Sequence, residues 1–192
     1  MKYIGAVSSN ETEVFIGVLL LLALTVSVVI IPIVMFPILK RYNESLALGY
    51  VGARIFEGFS DAIMAISALL LVILSRESVN AGAPGDFQTS GALLLALFDW
   101  ISVLENISYC FGVLIFFYLL HQSNLVPRWL SVWGFIGAIV LLARVPLSMF
   151  VFDSLSTAVL AIPIIVNEMV LAVWFIVKGF NSSPISSESV ET

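Results

Sequence analysis

The stretch VFIGVLLLLALTVSVVIIPIVMFPIL, from Val14 to Leu39, holds twenty-six residues and no charge. At about 1.5 Å per residue, a helix of that length reaches roughly 39 Å, enough to cross a hydrocarbon core of about 30 Å. The polar residues 1–13 that precede it carry a single basic residue, Lys2. A secretory leader would instead show a short apolar core and a small-residue cleavage site. The block is therefore read as a span that stays in the bilayer. Pro32 and Pro37 are compatible with a membrane helix, and Pro32 is expected to bend it.

The same pattern recurs along the chain. Lys40-Arg41-Tyr42-Asn43-Glu44 forms a short surface turn, and a second span follows from Gly49 to Ser75. A polar loop, Arg76 to Ser90, is rich in the turn formers Gly, Pro, Asn and Asp. The third span begins at Gly91 or Asp99 and ends at Leu120. The fourth runs from Leu130 to Met149 and the fifth from Thr157 to Val177, where Lys178-Gly179 gives a helix stop. The tail from residue 181 to 192 has nothing to bury and is expected to be disordered. The expected organisation is a polar segment over 1–13, a membrane domain over 14–180 and a tail over 181–192. The fold class is all-α: a polytopic transmembrane bundle of five helices with short loops.

Composition supports this. Hydrophobic residues make up 60% of the chain and charged residues 11%, whereas a soluble domain carries about a quarter charged residues. Eight Lys and Arg under a net charge of −5 exclude a nucleic-acid footprint. The single cysteine, Cys110, cannot close a disulfide within the chain and is expected to be a small buried hydrophobe. With the N-terminus outside, the cytoplasmic side receives Lys40, Arg41, Arg128 and Lys178, and the outside receives Lys2 and Arg76. That bias favours an external N-terminus and a cytoplasmic C-terminus. Trp100 then marks one interface and Trp129, Trp133 and Trp174 the other.

Ionisable groups inside the spans are costly, about 2.5–3.5 kcal/mol each at mid-helix on insertion scales. Their helical spacing indicates how the cost is offset. Arg54, Glu57 and Asp61 share one face of the second span, with Tyr50, Ala65 and Ala68 near the same stripe. The opposite face, of Leu, Ile, Val and Phe, suits lipid, and the small residues permit close helix approach. On the third span Ser102, Glu105, Asn106 and Tyr109 cluster, and Gly112 continues that side. The fourth carries Arg144 and the fifth Asn167-Glu168. Estimated depths suggest an outer pair, Glu105 with Arg144. They also suggest a central group of Arg54, Glu57, Asp61 and Glu168, with Asn167 as a hydrogen-bond partner. Three carboxylates around one guanidinium cannot all stay ionised in dry hydrocarbon, so either a proton or water must reach them.

Three stretches carry a resemblance: Phe36–Glu57, Leu119–Gly137 and Asn167–Phe180. Together, over roughly residues 15–180, they resemble the prokaryotic multi-pass membrane family filed as domain of unknown function 4386. The resemblance implies a membrane helix bundle and no established activity. Its recurrent motifs match Arg54 and Glu57, then Pro127, Arg128 and Trp129, then Asn167, Glu168 and Lys178. Two departures stand out. An additional N-terminal helix typical of the family is not expected here, and Arg144 stands where small or apolar residues are usual.

The functional expectation is an integral protein of a cell membrane that binds or moves a small solute, proton or lipid through its polar core. The alternative is a structural or accessory subunit of a membrane complex. An intramembrane enzyme is less supported. No metal-ligand spacing, phosphate loop or nucleophile with a base is legible, and the one histidine, His121, has no evident partner. No cofactor is expected. The partners expected are membrane lipids and a second copy or another membrane protein.

Overall fold

The computed structural model describes residues 10–80, 87–150 and 159–181, with side chains described to residue 147 in the second of these stretches. Among the described residues are five helices long and apolar enough to cross a membrane. They are α1 (Glu11–Leu39), α2 (Glu44–Asn80), α3 (Gln88–Ser123), α4 (Arg128–Phe150) and α5 (Ile162–Val177), the last entered through a 3-10 turn at Val159–Ala161. The chain is a polytopic all-α membrane protein. Expectations about residues 1–9, 81–86, 151–158 and 182–192 lie outside the described residues.

Helix ends follow local chemistry. Asn43 caps α2 by accepting the Leu46 N–H at its Oδ1, 2.9 Å away. The turn after α3 is made at Asn124, which takes a left-handed φ of 53°, a conformation asparagine tolerates better than most residues. Gly179, at φ 66°, ends α5 just after the cap residue Lys178, as the Lys-Gly pair predicts.

Several boundaries move. The segment Arg76–Asn80, expected in a loop, is the last part of α2, and α3 starts at Gln88 rather than at Gly91 or Asp99. At about 1.5 Å per residue, α2 is roughly 55 Å long and extends well past a hydrocarbon core of about 30 Å. In that extension Arg76 makes a bidentate pair with Glu11 of α1, at 2.8–3.1 Å, and its guanidinium lies over the Phe15 ring. Asn181 donates its backbone N–H to Leu125 O and its Nδ2 to Asn124 O, tying the end of α5 to the α3–α4 turn.

The chain divides into two compact units. The first takes Met1–Ile31 and Arg54–Glu105. There α1 and α2 approach closely: a Cβ on Gly58 would lie 2.8 Å from Val29 Cγ2. Glycine is what permits the contact. Four hydroxyls of this unit bond within their own helix. Thr25, Ser27, Ser60 and Ser67 each donate to the carbonyl four residues earlier, at 2.9–3.0 Å.

The second unit takes Pro32–Ala53 and Asn106–Thr192. It holds the main apolar core, which includes Leu39, Tyr50, Cys110, Phe117, Leu119, Leu120, Leu130 and Ile164. Tyr50 stacks on Phe116 with centroids 5.0 Å apart. Phe117 packs against Gly134, where no side chain could fit, and Gly137 meets the backbone of Ile164 at 3.2 Å from its would-be Cβ. Glycines thus bring α3 and α5 against α4. Cys110 is fully buried, as its apolar surroundings predict.

Candidate functional site

The polar groups of each unit take their positions from their own helices. On α2, residues at spacings of three and four form one buried stripe: Ala47, Tyr50, Arg54, Glu57, Asp61, Ala65, Val72 and Ser75. Ala68 is half-buried on the same side. The opposite face, with Ile55, Phe56, Phe59, Ile66 and Ile73, is exposed. The helical period alone dictates this separation. Within the stripe Arg54 Nη1 donates to Glu57 Oε2 at 2.9 Å, both side chains nearly inaccessible. One turn further along, Asp61 is only 4% exposed. The Arg54 guanidinium is engaged by Glu57, so the face carries one carboxylate more than cations.

In the second unit the polar groups of α5 separate onto different neighbours. Asn167 is fully buried and donates Nδ2 to Leu130 O of α4 at 3.0 Å. Its Oδ1 is buried without a hydrogen-bond donor among the described residues. Glu168, half-buried, accepts the Tyr109 phenol at 2.7 Å. Sequence reasoning grouped Tyr109 with Ser102, Glu105 and Asn106 on α3 and did not pair it with Glu168. Nearby, Ser108 Oγ donates to Ala53 O of α2 at 2.7 Å. A phenol and a carboxamide thus fix α5 against α3 and α4.

Of the sequence candidates, the structure brings together Arg54 with Glu57, and Tyr109 with Glu168. Arg54, Glu57, Asp61 and Glu105 belong to the first unit, and Asn106, Tyr109, Arg144, Asn167 and Glu168 to the second. Glu105, Asn106 and Arg144 are half-buried on their helices, and Ser102 turns its hydroxyl to Asp99 O at 2.7 Å. Among the described residues no three His, Cys, Asp or Glu side chains come together as a metal site.

Sequence reasoning also left His121 without a partner. Its Nδ1 lies 3.4 Å from Ser131 Oγ, across the α3–α4 turn. Ser131 Oγ also lies 3.0 Å from Arg128 O. The two residues line a recess of about 220 Å³ with Phe117, Tyr118, Val132 and Phe135. The usable signal was their position, a few residues either side of the short turn between α3 and α4. A second opening, a groove of about 390 Å³, runs along α5.

Comparison with known proteins was uneven. Neither the curated proteins nor the solved structures gave a match. Residues 2–179, nearly the whole chain, match the family described as Domain of unknown function (DUF4386). The polar stripe of α2 and the Asn167-Glu168 pair of α5 both fall inside that match, and the chain belongs to the DUF4386 family of multi-pass membrane proteins.

Proposed function

We propose that this protein handles protons, or a small cation in exchange for them, through carboxylates held inside its membrane helices. One observation carries the reading: Asp61 is buried one turn beyond a carboxylate that already engages Arg54. A surplus carboxylate on the inward face of a membrane helix must take up a proton, bind a cation or be reached by water. Each of those states is a step in moving a proton or cation. The half-buried Glu168, hydrogen-bonded to a neutral phenol rather than to a cation at that oxygen, has the same chemical capacity. Beside it on α5, the buried Asn167 Oδ1 offers an acceptor that water or a solute could use.

The test is infrared titration of the carboxyl band in reconstituted protein, comparing the parent with Asp61→Asn and Glu168→Gln. A proton carrier must change protonation near its working pH. The expected result is a carboxyl band that changes as pH is varied and is lost in Asp61→Asn. A band that does not change with pH, or that is unaltered in that variant, would overturn the proposal.

A second reading, a structural or accessory subunit, is supported by a different observation. Several polar groups hold helices together: Ser108 on the Ala53 carbonyl, Asn167 on the Leu130 carbonyl, and Tyr109 on Glu168. Such bonds stabilise membrane bundles by about 0.6 kcal/mol on average. Normal assembly of a larger complex with Asp61→Asn and Glu168→Gln combined would favour this reading.

We further infer that the N-terminus lies outside the cell membrane and the C-terminus in the cytoplasm, from the bias of Lys and Arg between loops. Single cysteines placed in residues 182–192 and 81–90 test it. The buried Cys110 leaves little background. Labelling of the 81–90 position alone by an impermeant reagent in intact cells is expected, and labelling of the tail alone would reverse the orientation.

A further inference from the structure

We propose that the groove along α5 is a binding site for one anionic phospholipid, its phosphate on Lys178 and an acyl chain along the helix. This site shares no lining residue with the carboxylates discussed above and stands or falls without them.

The groove, about 390 Å³, is lined by Met169, Val170, Val173, Trp174, Val177 and Lys178. Five of the six are apolar or aromatic and the sixth is a cation. Its volume lies within the range of ligand clefts, about 300–1,000 Å³. From Met169 to Lys178 the helix rises roughly 14 Å. That is close to half of a hydrocarbon core of about 30 Å, the depth that one leaflet's acyl chain occupies. The groove is therefore an open surface along α5, long enough for one acyl chain, with the cation Lys178 as the last residue of its lining.

The charged end is built rather than incidental. The Lys178 ammonium sits 4.6 Å from the centroid of the Trp174 ring, and this cation–π contact holds it over the end of the groove. Gly179 ends the helix at that point, so the groove stops where an interfacial tryptophan and a lysine belong. Among the described residues that line it, none is acidic. Basic groups between or beside membrane helices at that level attract anionic headgroups, and on the orientation proposed above Lys178 faces the cytoplasmic leaflet, the anionic one. The occupant with matching chemistry is a phosphodiester lipid of net negative charge, the phosphatidylglycerol class.

The full-length chain in mild detergent, titrated with dioleoyl-phosphatidylglycerol or dioleoyl-phosphatidylcholine and read by native mass spectrometry, tests this. One phosphatidylglycerol adduct is expected, with binding about fivefold weaker in Lys178→Gln and restored in Lys178→Arg. Val173→Trp fills the groove from an exposed position and is expected to remove the adduct while the helical circular dichroism stays unchanged. Arg128→Gln, away from the groove, should leave the adduct in place. Equal binding of the two lipids overturns the proposal, as does equal loss in Lys178→Gln and Arg128→Gln. A chain dimer that Val173→Trp abolishes would also overturn it, by assigning the groove to a second copy.

Discussion

Helices α1 and α2 show opposite uses of the same solvent. Helix α1 is almost wholly apolar, yet it is the more exposed. Ile16, Leu19, Leu20, Leu24, Val26, Ile30 and Val34 face outward, and only a narrow seam of Val18, Val28, Pro32, Met35 and Leu39 is buried. Helix α2 carries the charges, and it is the charges that are buried: Arg54, Glu57 and Asp61 are all inaccessible or nearly so. In water the pattern would be reversed. In a bilayer, lipid tails are as apolar as leucine, so hydrophobicity does not say which face turns inward. Polar and small residues say it, because their cost outside the protein is high. Polarity and residue size, not hydropathy, are the guide to the interior here.

The comparison breaks most readily at Arg54. Replacing it by Leu leaves Glu57 buried without the 2.9 Å partner it has now. Removing one member of a buried ion pair costs roughly 3–5 kcal/mol, since the remaining charge stays uncompensated. Unfolding in mixed detergent micelles should show Arg54→Leu as the most destabilised variant. Adding Glu57→Leu to it should recover part of the loss, and failure to recover any would mean the two side chains act independently.

Gly58 sharpens the contrast between the two helices, because it lies where α2 touches α1. Its would-be Cβ lies 2.8 Å from Val29 Cγ2 and 3.6 Å from the Thr25 carbonyl oxygen. Gly58→Leu therefore forces the helices apart and should cost about 1–3 kcal/mol, the usual range for overpacking. Gly58→Leu combined with Val29→Ala should restore part of that loss in the same unfolding measurement. A Gly58→Leu variant as stable as the parent would show that the close approach contributes nothing.

These same features explain what was legible beforehand. Five spans could be read because each is a long apolar block, and the buried face of α2 could be read because Arg54, Glu57 and Asp61 keep helical register. The pairing of Arg54 with Glu57 was within reach, being local. The bond from Tyr109 to Glu168 was not, since nothing in either helix states which neighbour it meets. The end of α2 was misplaced for a physical reason. Polar residues after Ser75 signal the end of the hydrocarbon, and the helix continues past it as an exposed extension paired to Glu11. His121 was left unpartnered because Ser131 comes into reach only once the Asn124 turn folds α4 back against α3.

The smallest expected effect discriminates most between the two functional readings. Leu20 is 67% exposed on α1. In a soluble protein a Leu→Ala change in the core costs about 2–5 kcal/mol, through lost transfer energy and a cavity. Neither term applies to a leucine that meets lipid in both states. Leu20→Ala should thus change stability by no more than about 0.5 kcal/mol. The result has a second use if the protein is studied in native membranes. An accessory subunit would cover part of the α1 face with another chain, and Leu20 would then lie in an interface packed like a protein interior. There, Leu20→Ala should weaken a co-purifying assembly while leaving the isolated chain as stable as before. No change in either preparation would show that the lipid meets α1 directly at Leu20, and a loss confined to the native assembly would put a partner chain there.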